Sequence, residues 1–197
     1  MAEVTTEVRK LTESDWAALR ATRLAALAEA PYAFASTLER ERGFTEQTWR
    51  ERLGPDAQAV YFGAAADAGA GGTGAGGNGA GGNGAAPAPL AEVAAPLAGV
   101  AALLSPSPVT GLAGWHLVSM WVSPAARGQG LADRLIAAVC DLARERGAAE
   151  IELWVTLGND RARAFYQRNG FAGTGDQQLI RPEDPDSLEE RMVRPLG

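Results

Sequence analysis

Two glycines and an arginine lie where a predicted strand passes into a predicted helix. Residues 122–132 read VSPAARGQGLA, with Arg127, Gly128 and Gly130 directly before the helix. Helix N-termini attract anions through free amides, and glycine has no Cβ to hold a phosphate away. The segment lacks the lysine and Ser/Thr of a nucleoside-triphosphate loop. It therefore predicts a site for a diphosphate group that needs no metal ion.

A second cluster lies on a predicted helix over residues 159–169. Asn159, Ala162 and Tyr166 are spaced three and four residues apart, so they share one helix face. Tyr166 on such a helix also fits the role of a core aromatic with a satisfied hydroxyl. Spacing alone leaves both readings open.

Together the two segments resemble the GCN5-related N-acetyltransferase (GNAT) family. Arg127, Gly130 and Ala132 meet its acetyl-CoA motif, Arg/Gln-x-x-Gly-x-Gly/Ala. Residues 159–171, NDRARAFYQRNGF, are similar to its segment Asn-x-x-Ala-x-x-aromatic-Tyr-x-x-x-Gly-Phe. The likeness is close over residues 115–171, whereas a Gly/Ala-rich insertion departs from the compact family pattern.

The resemblance implies roles for these residues. Acetyl-CoA is the cosubstrate, with its pantetheine arm in a gap between two splayed strands. Asn159 hydrogen-bonds the pantetheine amides, Ala162 leaves room for them, and Tyr166 is the acid that protonates the departing thiolate. The cofactor-binding residues implied are Val122, Arg127, Gly128, Gln129, Gly130, Leu131, Ala132, Asn159 and Ala162.

His116, the lone histidine, is the candidate general base. On a regular strand it shares a face with Val118, Met120 and Val122. An unperturbed pKa of about 6.5 suits removal of a proton from an ammonium group, directly or through water. Some members of the family place a glutamate or histidine here and others use water chains, so a structural histidine is the alternative.

Other reactive groups receive plainer interpretations. Cys140 falls in an apolar helix stripe with no basic neighbour in sequence, which favours a buried thiol over a nucleophile. We therefore expect direct transfer from CoA to the acceptor. Tyr32, Phe34, Glu39 and Glu41 lie in a segment that borders the acceptor site in the family, although loop packing explains them equally well.

Composition limits the class of protein. A chain of 197 residues, 46% hydrophobic and 21% charged, fits one globular domain over residues 1–197. The net charge of −6 argues against nucleic-acid binding and favours a cationic acceptor. A single cysteine and no stretch of membrane-spanning length predict a cytoplasmic protein with neither disulfide nor metal site. A homodimer is left open.

The hydrophobic pattern predicts alternating strands and helices. From residue 67 to residue 89 glycine, alanine and asparagine dominate, which predicts a disordered insertion at a hairpin tip. The resemblance implies an α/β fold with a mixed, mostly antiparallel sheet of about seven strands, helices on both faces and splayed central parallel strands. Strands are predicted at 4–11, 57–66, 97–104, 115–122, 150–155, from 171 and at 189–194, with helices after residue 12, after residue 45, at 131–146 and at 159–169.

The sequence thus predicts an acetyl-CoA-dependent N-acetyltransferase. Its acceptor is a primary amine of a small molecule or protein. The alternative is a non-catalytic module that binds acyl-CoA as a sensor or interaction domain, since the same turn serves both.

Overall fold

The computed structural model describes residues 7–65, 94–107, 113–181, 184–185 and 187–197. Within them the chain forms an α/β fold with one seven-stranded sheet, as predicted. The strands are β1 Val8–Lys10, β2 Ala59–Ala64, β3 Gly99–Leu104, β4 His116–Val122, β5 Glu150–Thr156, β6 Ala172–Leu179 and β7 Leu188–Pro195. The helices are α1 Trp16–Glu29, α2 Leu38–Arg42, α3 Glu46–Glu51, α4 Leu131–Glu145 and α5 Asp160–Arg168.

The sheet has a single parallel pair at its centre. Its strand order is β1-β2-β3-β4-β5-β7-β6, and every neighbouring pair except β4–β5 is antiparallel. In the described sheet β4 and β5 pair only where His116 faces Glu152. Beyond that point the two strands diverge toward their C-terminal ends. The expected splayed central strands are therefore present.

Strands β2 and β3 form the predicted hairpin. They pair without interruption from Ala59 opposite Leu104 to Ala64 opposite Gly99. The segment that joins them includes residues 67–89, the predicted insertion, which lies outside the described residues. The first part of the predicted strand 4–11 also lies outside them.

Two apolar clusters cover the two faces of the sheet. The first joins α4 to the central strands, and Leu135, Ile136 and Val139 are fully buried in it. The second lies beneath α1 and α3 and contains Leu19 and Trp49. Among the described residues, no helix is long and apolar enough to cross a membrane.

Cys140 lies inside the α4 cluster, with an exposed fraction of 1%. Burial raises the pKa of its thiol, so the thiol stays protonated at neutral pH. The expectation of a structural cysteine fits this setting.

Candidate active site

The glycine turn stands at the open end of the gap between β4 and β5. Gly128 and Gly130 have φ angles of +78° and +70°, a region that L side chains rarely adopt. Gly130 is the N-cap of α4, and a Cβ built on Gly128 would meet nothing within 4 Å. Free amides, the helix dipole and open space therefore coincide at one place. This arrangement fits an anionic group such as a diphosphate.

Arg127 connects this turn to α1. Its Nε donates to the carbonyl of Val122 at 3.1 Å, and its NH2 donates to Glu29 Oε1 at 2.6 Å. Trp121 Nε1 donates to the other oxygen of Glu29 at 2.9 Å. The guanidinium thus fixes the end of β4 against the last turn of α1. This contact was not predicted from the sequence.

A cleft of about 390 Å³ opens between β4 and β5, within the size range of ligand sites. Its lining brings together the predicted catalytic pair and part of the predicted cofactor set. The residues concerned are His116, Asn159, Ala162 and Tyr166. Trp154 also lines the cleft, as do Phe34 and Glu41.

Helix α5 carries one wall of the cleft. Asn159 is its N-cap, and Asn159 Oδ1 accepts a hydrogen bond from the amide of Ala162 at 3.1 Å. The cap uses the side-chain oxygen and leaves the Nδ2 donor for a ligand carbonyl. The ring of Tyr166 packs edge to face against Phe171, with centroids 5.9 Å apart. Burial raises the pKa of Tyr166 to about 12.

Strand β4 contains a bulge at Ser119. Opposite β3 the register shifts between Val100 and Ala102, and Ser119 has a φ of +57°. One extra residue inverts the alternation of side chains beyond it. Within the residues described, Ser119 is the only one other than glycine with a positive φ.

Because of the bulge, His116 does not share a face of β4 with all the residues predicted. Register with β3 puts His116 and Val118 on one face of β4, and Val118 packs with the α1 cluster. Met120 and Val122 pack with the α4 cluster on the other face. The expectation that His116 shares a face with Met120 and Val122 is therefore wrong, because a regular strand was assumed. His116 lies where β4 and β5 are still paired, at the closed end of the gap.

His116 lies next to Glu152, which is paired with Arg191. Its Nε2 lies 3.0 Å from Glu152 Oε1 without the alignment of a hydrogen bond, and Arg191 Nε donates to Glu152 Oε2 at 2.5 Å. Burial lowers the pKa of His116, with Glu152 opposing and Arg191 reinforcing that shift. The imidazole is therefore neutral at pH 7, the form that accepts a proton.

Three charged residues beside His116 and Ser119 were not predicted from the sequence. Arg23, Glu152 and Arg191 come from distant elements, and no local motif marks them. The one available signal is an arginine on the buried face of α1, at a position where an apolar residue is usual.

Comparison with known proteins agrees with this geometry. Residues 87–171 match the model of the Acetyltransferase (GNAT) family. The resemblance to the GNAT family is confirmed. One curated relative, N-alpha-acetyltransferase 30 of Schizosaccharomyces pombe, is 47% identical over 45 residues, which make up 23% of this chain and 30% of that protein. The chain spans less than a third of the length of the curated relatives it matches.

Solved structures show the same GNAT fold. A GCN5-related N-acetyltransferase from Kribbella flavida aligns over 98% of this chain and 99% of its own, with a TM-score of 0.65 and 20% identity. The PaiA N-acetyltransferase of Thermoplasma acidophilum in complex with coenzyme A aligns over 98% and 99%, with a TM-score of 0.59 and 15% identity. The GNAT fold is thus shared at low sequence identity.

Proposed function

We propose that the chain is an acetyl-CoA-dependent N-acetyltransferase that passes the acetyl group directly to a primary amine. The observation that carries this proposal is the position of the glycine turn, at the open end of the gap whose wall carries Asn159 and Tyr166. The GNAT match over residues 87–171 supports the same conclusion. The coenzyme A complex of a protein with this fold supports the choice of cosubstrate.

The residues around the gap fit acetyl-CoA. Backbone amides of residues 128–132 suit its diphosphate, with Gly128 and Gly130 providing close approach, while the amide of Arg127 donates to the carbonyl of Pro124. Asn159 Nδ2 suits a pantetheine carbonyl, and Ala162 leaves space beside it. Val122 bounds the gap on β4, although its carbonyl is occupied by Arg127 in this structure. Bound acetyl-CoA supplies a thioester carbonyl for attack and a thiolate as leaving group.

Tyr166 holds the proton that a leaving thiolate needs. A pKa of about 12 keeps the phenol protonated throughout the neutral range. A protonated phenol in the cleft can donate to sulfur as the carbon–sulfur bond breaks. Burial therefore keeps Tyr166 in the protonated form that a general acid needs.

His116 is the proposed base for the incoming amine. Its neutral imidazole lines the cleft, but at its closed end, about 10 Å along β4 from the bulge at Ser119. A proton relayed through water suits this separation better than direct contact. The acceptor is an amine of a small molecule or protein, and the net charge of −6 favours a cationic one. A cytoplasmic location remains part of the proposal.

Calorimetric titration with CoA tests cofactor binding directly. The proposal predicts saturable binding of one CoA per chain, weakened by salt because the diphosphate is held by charge and dipole. Absence of binding at millimolar CoA to the folded protein would contradict it.

A further inference from the structure

The strained residue of β4 is held by a buried ion pair. Arg23 NH1 donates to Ser119 Oγ at 3.3 Å, reaching from α1 to the bulge. The same guanidinium donates to Glu41 of α2, through Nε at 3.2 Å and through NH2 at 2.5 Å. Three elements therefore meet at one guanidinium group.

Both members of the pair are almost wholly removed from solvent. Arg23 is 4% exposed and Glu41 is 0% exposed, although charged residues are seldom buried so completely. Arg52 adds a second contact to Glu41 Oε2 at 3.4 Å. The guanidinium of Arg23 also lies 4.9 Å from the ring centroid of Phe34. Its position is fixed on several sides.

Stability alone is a poor explanation for this arrangement. A buried ion pair loses about as much in desolvation as it gains in attraction, so apolar residues would fill the space at least as well. Burial tends to raise the pKa of Glu41, but the two arginines hold it below its usual value. The carboxylate therefore remains charged, and Arg23 keeps a fixed orientation toward Ser119.

The location of the pair points to the reaction centre. Arg23, Glu41 and Ser119 all line the cleft that contains Tyr166. Backbone strain persists only where the surroundings enforce it, and it concentrates at functional sites. A bulge also removes a residue from the strand ladder, which frees backbone groups for another partner.

We propose that the Arg23–Glu41 pair is a positioning device that holds Ser119 in its left-handed conformation and so keeps the β4 wall of the cleft in the shape that the reaction needs. Arg23, Glu41 and Ser119 are positioning residues, and none of them exchanges a proton with substrate. The inference rests on the proposed acetyl transfer for its purpose, but the hold on Ser119 can be tested without it.

Three variants separate the parts of the device. Glu41→Gln removes the charge that orients Arg23, while Ser119→Ala removes only the hydroxyl and leaves the ion pair intact. Ser119→Gly also removes the hydroxyl, but glycine adopts a positive φ without strain. Asp15→Asn is the control, since Asp15 forms a 2.6 Å ion pair with Arg9 at the start of the same helix region, outside the cleft.

Amide hydrogen exchange tests the hold without any substrate. We expect exchange at residues 119–121 to rise about tenfold in Glu41→Gln and in Ser119→Ala, and to stay unchanged in Asp15→Asn. Unchanged exchange at the bulge in both cleft variants would overturn the proposal. If Glu41→Gln does not fold, Ser119→Ala alone decides the question, because it leaves both buried charges paired.

Kinetics then test the purpose of the hold. With any accepted amine, kcat of Ser119→Ala should fall about tenfold to a hundredfold while KM for acetyl-CoA stays within about twofold. Ser119→Gly should recover part of kcat. Loosened exchange with native kcat would overturn the role in positioning while leaving the acetyltransferase proposal intact. A wild-type protein that neither binds CoA nor consumes acetyl-CoA would instead overturn that proposal.

Discussion

Burial gives Tyr166 two properties that suit an acid, a fixed ring orientation and a retained proton. Its ring is packed between Phe165 and Phe171, with centroids 5.3 Å and 5.9 Å away, so its orientation is fixed. The same burial raises its pKa to about 12, so its proton is retained throughout the neutral range. The phenol therefore carries its proton at neutral pH and can hydrogen-bond a departing thiolate.

Tyr166→Phe tests this role, since it keeps the ring and removes only the hydroxyl. We expect kcat to fall about a hundredfold, with CoA affinity changed less than about twofold. Steady-state kinetics and calorimetry measure the two quantities. Phe165→Leu is the control for ring packing, because it disturbs the same aromatic cluster without touching a proton donor. Near-native turnover in Tyr166→Phe would remove the tyrosine from the mechanism.

His116 predicts the acidic limb of the pH profile. Burial lowers its pKa below 6.5, so the imidazole is already neutral at pH 7 and becomes protonated only on acidification. A base must be unprotonated, so if His116 is the base, its limb of the rate profile lies below pH 6.5. The pKa of His116 is lowered because desolvation of the charged imidazolium outweighs the attraction of Glu152.

His116→Ala should therefore remove that limb. We expect a rate about tenfold lower at pH 7, with the deficit shrinking toward pH 9 as the free amine loses its proton unaided. The measurement is kcat/KM across pH for both proteins. Parallel pH profiles for wild type and His116→Ala would contradict a role as base and leave His116 a structural residue.

The turn that opens α4 is the element proposed to bind the diphosphate of CoA. Gly130 has a φ of +70°, and a Cβ there would stand 3.4 Å from Arg134 NH1. Replacement by valine adds bulk at the proposed diphosphate site and strain in the backbone. Gly147→Val is the matched control, because Gly147 has a φ of +80° just beyond the other end of α4.

We expect Gly130→Val to weaken CoA binding tenfold or more, about 1.4 kcal/mol, while Gly147→Val lowers stability without changing affinity. Calorimetric titration and thermal melting give the two quantities. Equal CoA affinity in folded Gly130→Val would show that the diphosphate does not lie against this turn.

Long periodic elements were predictable from the sequence. The apolar stripe of α4 gave a helix at 131–146, and the structure has Leu131–Glu145. Predicted strand 150–155 matches β5, Glu150–Thr156. The short α2 was missed, since five residues carry too little periodicity. Strand β6 runs to Leu179 with every residue exposed, so no apolar alternation marked its length.

The candidate site was predictable only where its parts are local in sequence. Spacing placed Asn159, Ala162 and Tyr166 on one face, and all three line the cleft. The Ser119 bulge depends on register with β3, and no residue pattern within β4 predicts it. The contact of Arg23 with Glu41 spans 18 positions and exists only after α1 and α2 pack.

The Gly/Ala-rich segment joins β2 and β3, the two strands of the hairpin. The strands pair fully from Ala59–Ala64 to Gly99–Leu104 and pack in both apolar clusters. Residues 69–84 contain only glycine, alanine, asparagine and threonine, so they offer no large apolar side chain to bury. Loop closure depends only weakly on length.

Deletion of residues 69–84 should therefore leave the melting temperature within about 2 °C and CoA affinity within about twofold of the full chain. Differential scanning calorimetry and titration check both. Strong amide protection in this segment, or a melting temperature lowered by about 10 °C, would show that it belongs to the ordered fold.

Consumption of acetyl-CoA across a panel of amines distinguishes an N-acetyltransferase from a module that only binds the cofactor. The panel should include polyamines, aminoglycosides, lysine-containing peptides and peptides with free N-termini, with release of free CoA thiol as the readout. We expect thiol release with at least one of these amines, matched by one acetylated amine per thiol and reduced about a hundredfold in Tyr166→Phe. Tight CoA binding without turnover on any amine would contradict it and favour a non-catalytic acyl-CoA-binding module.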